Sequence, residues 1–206
     1  MKKFLKDNGL SVVLLTLFLV FWALQSVAGF SVYNEDQSLH GNPEIGYLEY
    51  LASGHFWQAT AENWESEFLQ MGFYVILTTY LFQRGSAESN DPDESEELAA
   101  QRRKKPGPWL YRNSLSLAFL ALFLLTFVIH AAGGWKELNQ ERSEHGQAPE
   151  SMSAFLMDAE FWFQSFQNWQ SEFLAVLSIV ILSIFLRQAG SPESKEVGDP
   201  NSKTGA

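Results

Sequence analysis

The chain has 206 residues and no cysteine, so it forms neither disulfides nor thiolate metal sites and has no cysteine nucleophile. Its formal net charge of −10 offers no basic face, and we therefore expect no nucleic-acid partner. Aromatic residues make up 15% of the chain against 18% charged residues, which excludes intrinsic disorder for most of it. The apolar residues are gathered in four blocks, and the charged residues lie almost wholly outside them.

Two of the apolar blocks are long enough to cross a bilayer. Residues 9–34 and residues 113–135 contain no charged residue. At about 1.5 Å per residue, each block spans a hydrocarbon core of about 30 Å as a helix. The first block imitates a secretory signal that ends at Ser26-Val27-Ala28, but its apolar run is longer than a signal core. We therefore expect an uncleaved span over about 10–32 and another over about 113–135.

Two further apolar blocks are shorter, at residues 68–83 and 173–186. A glutamate precedes each block and an arginine lies at or just after its end: Glu67 and Arg84, then Glu172 and Arg187. Four such blocks in one short chain predict an all-α membrane protein with four transmembrane helices. The second and fourth spans then cover about 66–84 and 171–188.

The two halves of the sequence are copies of each other. Adding 105 to a residue number aligns residues 5–89 with the second half without a gap, and 31 of the 85 aligned pairs are identical. Repeat 1 covers 1–89 and repeat 2 covers 109–194. Each repeat is a two-span hairpin, so both copies have the same orientation, as in parallel-repeat transporters. We expect a four-helix bundle made of two parallel-repeat hairpins.

Lysine and arginine are divided unequally between the two sides of four spans. Twelve fall on one side, and Lys136 and Arg142 fall on the other. The positive-inside rule therefore predicts a multi-pass protein of the cytoplasmic (inner) membrane with cytoplasmic N- and C-termini. Residues 90–108 become a charged cytoplasmic linker whose basic run, 102–105, contacts anionic headgroups. The composition of 195–206 predicts a disordered tail.

Aromatic residues recur at near-helical spacing on the outer side, ahead of the second and fourth spans. This pattern predicts an amphipathic interfacial helix in each half, after turns at His40-Gly41 and His145-Gly146. Tryptophan favours the headgroup zone, and arginine anchors the cytoplasmic ends of spans. The predicted anchors are Trp57, Trp64, Trp162, Trp169, Arg84 and Arg187.

The most specific local motif is N-W-x-S-E-F-L, which begins at Asn63 and again at Asn168. Residues three and four apart share one face of a helix. The motif therefore predicts a polar cluster at the outer membrane interface in each half: Asn63, Ser66 and Glu67, then Asn168, Ser171 and Glu172. At the x position Glu65 is replaced by Gln170, which indicates that the fold does not require a charge there.

Three interpretations of the polar cluster stay open. In the first, the residues only begin a helix, by capping its free amide groups and matching its dipole. In the second, Glu67 and Glu172 lie below the interface near the symmetry axis and bind a cation or share a proton, because both second spans are short. In the third, the cluster binds a partner protein.

No sequence pattern indicates an enzyme or a cofactor. The chain lacks a phosphate-binding glycine loop, H-E-x-x-H and G-x-S-x-G. The histidines at 40 and 145, with Asp36 and Glu141, match no metal motif, so we expect no metal site. His130 ends the third span and is equivalent to Gln25 in the repeat, which predicts an interfacial polar pair between them.

The duplicated N-W-x-S-E-F-L motif and the Q-x-G-S-x-E-S segments that begin at Gln83 and Gln188 resemble a family of small prokaryotic membrane proteins with a domain of unknown function. The resemblance implies an integral membrane protein and supplies no activity. We therefore predict a non-enzymatic interaction protein that engages lipid or a partner through its outer helices. A homodimer and a membrane protein partner both stay open. The alternative is a small proton or cation carrier that uses Glu67 and Glu172.

Overall fold

The computed structural model of the protein describes residues 2–95, 97–98, 100 and 107–205. Within these ranges the regular structure is helical and no strand occurs, which confirms the predicted all-α class. The basic run 102–105 lies outside the described residues. The helices are α1 (Lys2–Leu39), α2 (Tyr47–Leu51), α3 (Gly54–Tyr80), α4 (Trp109–Arg112), α5 (Ser114–Glu144), α6 (Met152–Phe155) and α7 (Ala159–Phe185).

Three of these helices, α1, α5 and α7, are long and apolar enough to cross a membrane. Their apolar side chains lie mostly on the surface: Leu10 is 76% exposed and Val128 63% exposed. Apolar surface of this extent is unfavourable in water, because each Å² costs about 25 cal/mol. The three helices therefore mark a membrane protein. The second predicted span, about 66–84, overlaps α3, which begins at Gly54 and ends at Tyr80, four residues before the predicted end.

An asparagine interrupts the start of the first helix in each half. Asn8 has φ −128° and ψ 15° inside α1, and Asn113 has φ −115° and ψ 11° between α4 and α5. Each side-chain amide donates to the carbonyl oxygen four residues earlier, Phe4 at 3.0 Å and Trp109 at 2.8 Å. Asparagine side chains compete with helical backbone hydrogen bonds, which explains why the helix breaks at these two positions.

The turns predicted after α1 and α5 are present. Gly41 has φ 77° and Gly146 has φ 65°, a left-handed conformation that glycine adopts without steric cost. The preceding histidines turn back onto their own helices. His40 Nδ1 lies 2.9 Å from the Asp36 carbonyl oxygen, and His145 Nδ1 lies 2.8 Å from that of Glu141.

The outer segments differ from the prediction of a separate interfacial helix in each half. The short helices α2 and α6 are followed by α3 and α7, which run without a break through the aromatic stretches and into the predicted second spans. Neither 55–71 nor 160–185 contains glycine or proline, so nothing in these sequences ends the helix. The aromatic stretch and the following apolar block therefore form one continuous helix in each half.

The chain divides into two compact units: Met1–Thr60 with Ala131–Glu150, and Ala61–His130 with Ser151–Ala206. The core of the first unit is aromatic. Tyr33, Tyr50 and Phe56 are buried together, and Trp22 and Phe30 pack against them. This core holds the start of α3 against α1.

Within the first unit, α3 approaches α5 closely where both have glycine. A Cβ at Gly54 would lie 2.6 Å from the carbonyl oxygen of Gly133, and one at Gly133 would lie 2.7 Å from the amide nitrogen of Gln58. The approach lets Glu137 on α5 accept a 2.9 Å hydrogen bond from the His55 backbone N–H. That N–H belongs to the first turn of α3, where no intrahelical acceptor exists.

The C-terminal segment, predicted to be disordered over 195–206, makes specific contacts in the second unit. Lys195 is buried, and its Nζ donates to four carbonyl oxygens at 2.5 to 3.3 Å. The acceptors belong to Gly85, Ile184, Asn201 and Lys203. These contacts join the segment to the turn that follows α3 and to the end of α7.

Candidate functional site

A carboxylate and an imidazole are buried together in the second unit. Glu65 Oε2 on α3 lies 2.9 Å from His130 Nδ1 on α5, and neither side chain is exposed to solvent at all. Burial of an ionisable group costs several kcal/mol unless a partner compensates it. Glu65 and His130 therefore have to be considered as one pair.

Helix α7 covers the pair with three residues that recur every four positions. Phe161 stacks on His130, with ring centroids 4.9 Å apart, and Trp169 Nε1 donates to Glu65 Oε1 at 3.1 Å. Ser165 lies between them on the same face and is 1% exposed. Since its neighbours one turn on either side contact the two members of the pair, Ser165 faces the pair as well.

A second carboxylate lies one turn from Glu65 on α3. Glu62 is half-buried, and its Oε1 accepts a 2.5 Å hydrogen bond from Asn168 Nδ2 on α7. A second, partly exposed carboxylate therefore lies one helical turn from the buried pair.

Two atoms of this site have no hydrogen-bond partner among the described residues. They are His130 Nε2 and Ser165 Oγ, and both are buried. Buried polar atoms without a partner are uncommon in folded proteins, because losing water costs about 1–3 kcal/mol. The orphaned atoms lie on the two helices that enclose the pair.

The geometry fixes what the pair can do chemically. When Glu65 is ionised, His130 Nδ1–H donates to the carboxylate and Nε2 has a free lone pair. A proton that binds Nε2 produces an imidazolium beside the carboxylate, so the pair becomes neutral overall. The arrangement therefore leaves one imidazole nitrogen of the buried pair available to a proton.

The polar clusters predicted from the N-W-x-S-E-F-L motif are distributed differently. Ser66 and Ser171 each donate to a carbonyl oxygen three residues earlier in their own helix, at 2.7 and 2.8 Å. Glu67 is exposed, as is Asn63. Glu172 is half-buried, and its backbone carbonyl accepts a 2.9 Å hydrogen bond from Gln70 Nε2. Among the six predicted residues, Asn168 contacts the site through Glu62.

The predicted anchors are partly used within the protein. Trp162 Nε1 donates to the Leu156 carbonyl oxygen at 2.9 Å, and Trp57 packs against the core of the first unit, while Trp64 is half-buried. Arg84 pairs with Asp93. Arg187 donates to the carbonyl oxygen of Asp199 at 3.1 Å, so it holds the C-terminal segment.

Sequence analysis missed Glu65 and assigned His130 a different partner. Gln25 Nε2 instead donates to Thr60 Oγ1 at 3.4 Å, whereas His130 contacts Glu65. The replacement of Glu65 by Gln170 between the repeats indicated a dispensable charge. The signal that pointed to the site was His130 itself, the one residue able to titrate near neutral pH inside the apolar block 113–135.

Two cavities lie outside this site, one in each unit. A polar cleft of about 230 Å³ in the first unit is lined by the ends of α1 and α5, including His40 and His145. Across the described ranges, no group of three or more histidine, cysteine, aspartate or glutamate residues could hold a metal ion. An apolar groove of about 350 Å³ in the second unit lies between α3 and α5. Neither cavity is lined by Glu67 or Glu172.

These observations define a helical membrane protein that buries an acid–imidazole pair within one compact unit. The chain belongs to the family described as a domain of unknown function (DUF6766), which matches residues 1–206. This match confirms the resemblance to a domain of unknown function. No curated protein matches the chain, and no solved structure does so.

Proposed function

We propose that the protein is a small, non-enzymatic proton carrier in which Glu65 and His130 bind the transported proton. The carrying observation is the 2.9 Å contact between two fully buried side chains whose remaining imidazole nitrogen is open to a proton. The sequence predicted Glu67 and Glu172 as the proton-binding residues of a carrier. In the present proposal the Glu65–His130 pair takes that role. Glu67 is exposed on the opposite side of α3 and carries no such contact.

The cost of the pair favours a functional role. Buried ionisable residues in a membrane protein are expensive, and they are common where ions or protons pass. A well-packed apolar pair of similar volume would stabilise a helix bundle at least as well. Retention of a carboxylate and an imidazole at this position is therefore better explained by proton binding than by stability.

The groups that face His130 suit reversible proton binding. Glu65 and Glu62 contribute negative charge from α3, while Ser165 and Trp169 on α7 supply neutral polar groups. On α5 itself, Thr126 lies one turn earlier and donates to carbonyl oxygens of its own helix. Within the described chain, His130 contacts Glu65 and Phe161, neither of which is cationic. The described groups that contact His130 are therefore acidic or neutral.

The proposed architecture is a duplicated two-span hairpin in the inner membrane, with α3 as the second span and both termini cytoplasmic. The helix bounds support the duplication, because adding 105 converts Gly54–Tyr80 into 159–185, the bounds of α7. The rings of His40 and His145 lie 6.5 Å apart at the ends of α1 and α5. Such a contact supports one orientation for both copies, since the two helix ends then lie on the same side.

Proton flux into proteoliposomes tests the proposal. A potassium diffusion potential drives protons inward, and a trapped pH-sensitive dye reports their arrival. We expect wild-type vesicles to acidify faster than empty ones, and Glu65→Gln and His130→Asn to reduce the rate to that of empty vesicles. Glu67→Gln is the matched control on the same helix and should keep the wild-type rate.

Three outcomes would overturn the assignment. A wild-type acidification rate equal to that of protein-free vesicles would exclude proton transport. Undiminished flux in well-folded Glu65→Gln would remove the pair from the path. Loss of flux only in the double variant Glu67→Gln with Glu172→Gln would return the function to the outer glutamates.

A second candidate function is lipid or partner binding by the outer segments. The observation that favours it is the exposure of large apolar side chains there, with Leu48 80% and Met157 85% exposed. If the outer segments bind the membrane interface, brominated lipids should quench the tryptophan fluorescence. The double variant Leu48→Gln with Met157→Gln should then weaken the quenching. If the outer segments instead form a homodimer interface, the same double variant should be a monomer. Unchanged quenching and unchanged mass in detergent would eliminate both.

A further inference from the structure

The buried His130–Ser165 region contains a binding site for one small polar molecule. We infer that His130 Nε2 and Ser165 Oγ hold a single internal water molecule between α5 and α7. Both side chains are buried, at 0% and 1% exposure, and neither atom has a partner among the described residues. The site lies within the second unit and does not depend on any exposed loop.

The placement of the two atoms follows from the contacts on either side of them. Phe161, one turn before Ser165, stacks on the His130 ring. Trp169, one turn after Ser165, donates to Glu65, which in turn contacts His130 Nδ1. The Ser165 hydroxyl therefore faces the same pair as its neighbours, yet it makes no direct hydrogen bond to the imidazole.

A water molecule resolves this arrangement energetically. Two buried orphaned atoms would each cost about 1–3 kcal/mol, and buried water is the usual partner of such atoms. Water both donates and accepts, so it can donate to neutral Nε2 and accept from the imidazolium. A hydroxyl can likewise reverse its role, because the Ser165 O–H rotates.

The equivalent residues of the first half show what a direct contact requires. Adding 105 relates Gln25 to His130 and Thr60 to Ser165. Gln25 Nε2 donates to Thr60 Oγ1 at 3.4 Å, so the longer amide reaches the hydroxyl by itself. In the second half the hydroxyl residue lacks the threonine methyl group and the direct contact is missing. The water therefore occupies the space left by the missing methyl group and replaces the missing direct hydrogen bond.

This inference deepens the proposed function, because the water would be the next proton donor or acceptor after His130. Its existence stands apart from transport, since a water can bind the two atoms in a protein that carries no proton. Ser165 is a positioning residue in this scheme: it orients the water and does not itself hold the transported proton.

Infrared difference spectroscopy on the full-length protein in lipid tests the water directly. Difference spectra between low and high pH should contain an O–H stretching band that moves to lower wavenumber in H₂¹⁸O. Ser165→Ala removes one partner, and Ser165→Thr keeps the hydroxyl but fills the space with a methyl group. We expect both variants to lose the ¹⁸O-sensitive band.

Controls keep the outcome decisive. Ser171→Ala removes a hydroxyl that donates to the Asn168 carbonyl oxygen in its own helix, so its spectrum should retain the band. Absence of an ¹⁸O-sensitive band in wild-type protein, or its persistence in both Ser165 variants, overturns the inference. If a Ser165 variant fails to fold, ¹⁵N NMR of wild-type His130 decides, because a bare Nε2 resonates apart from a hydrogen-bonded one. Loss of flux in Glu65→Gln together with a missing water band would overturn only the water and leave the carrier intact.

Discussion

Trp169 donates its indole N–H to Glu65 Oε1 at 3.1 Å while the other oxygen of the same carboxylate faces His130. Both carboxylate oxygens are therefore hydrogen-bonded without any contact with solvent. Charge-assisted hydrogen bonds of this kind are about twice as strong as neutral ones. The arrangement makes Glu65 the residue on which the interior of the second unit depends.

Breaking the pair from one side should destabilise the protein strongly. His130→Leu leaves the Glu65 carboxylate buried without its partner, and we expect a loss of about 3–5 kcal/mol in the free energy of unfolding. The double variant Glu65→Met with His130→Leu replaces both by apolar groups and should recover most of this loss. Equilibrium unfolding in detergent measures both effects.

Glu67→Met serves as the control for that comparison, because Glu67 is exposed and its replacement should change stability by no more than about 0.5 kcal/mol. Equal losses in His130→Leu and in the double variant would contradict the prediction. The pair would then contribute packing alone, without an electrostatic cost to removing one member.

A methyl group added at Gly54 or Gly133 should push α3 and α5 apart where the two helices approach each other. A Cβ on Gly54 would lie 2.6 Å from a backbone oxygen of Gly133, and backbone cannot move aside as a side chain can. We expect Gly54→Ala and Gly133→Ala each to cost about 1–3 kcal/mol through overpacking. Gly9→Ala is the matched control: nothing lies within 4 Å of its Cβ, so it should be neutral or stabilising. Thermal unfolding midpoints rank the three variants.

The helices and turns could be predicted from sequence because their signals are local. The apolar blocks located α1, α5 and α7, and the His-Gly pairs located the turns at Gly41 and Gly146. The continuity of α3 and α7 was missed, because aromatic interfacial residues and apolar residues were assigned to separate elements. No proline or glycine supports that separation, so the backbone continues.

The Glu65–His130 pair could not be predicted in the same way. Successive residues on a helix are rotated by about 100°, so Glu65 and Glu67 lie about 200° apart and face nearly opposite directions. Which of them is buried depends on the contacts that α3 makes with α5 and α7, not on the local motif. The contact joins residues 65 positions apart in sequence, and a single sequence carries no signal for it.

Ionisation of the Glu88 carboxyl should make the folded protein less stable as pH rises. Burial raises the pKa of Glu88 above its ordinary value of 4.5, and the charge of Glu193 adds to this, although the 2.8 Å hydrogen bond from Tyr74 Oη acts the other way. The folded state then holds this proton more tightly than the unfolded state. Stability is therefore lost as pH rises from about 4.5 through the raised pKa.

Glu88→Gln should flatten this part of the pH–stability curve, because the amide keeps an acceptor for Tyr74 and does not ionise. Asp93→Asn provides a contrast of opposite sign. Its hydrogen bond with Arg84 lowers the pKa of Asp93 below 3.8, so its contribution is present above that pH and is lost on acidification. A Glu88→Gln curve that parallels wild type between pH 4 and 8 would contradict the assignment of this slope to Glu88.

Lys195 should make attachment of the C-terminal segment stronger as pH rises. Burial, with the charge of Arg187 nearby, lowers the pKa of Lys195 below its ordinary value of 10.5. The unfolded segment then binds the proton more tightly than the attached one, so attachment gains stability between the lowered pKa and 10.5. Hydrogen exchange of residues 196–205 measures this: exchange should slow relative to its intrinsic rate as pH rises.

Lys195→Ala should expose these amides at every pH, because four carbonyl oxygens lose their donor. Lys203→Ala is the control, since its exposed ammonium forms a surface ion pair with Asp199, and it should leave exchange nearly unchanged. Protection that weakens with rising pH would mean that the charged ammonium, and not its burial, dominates the attachment.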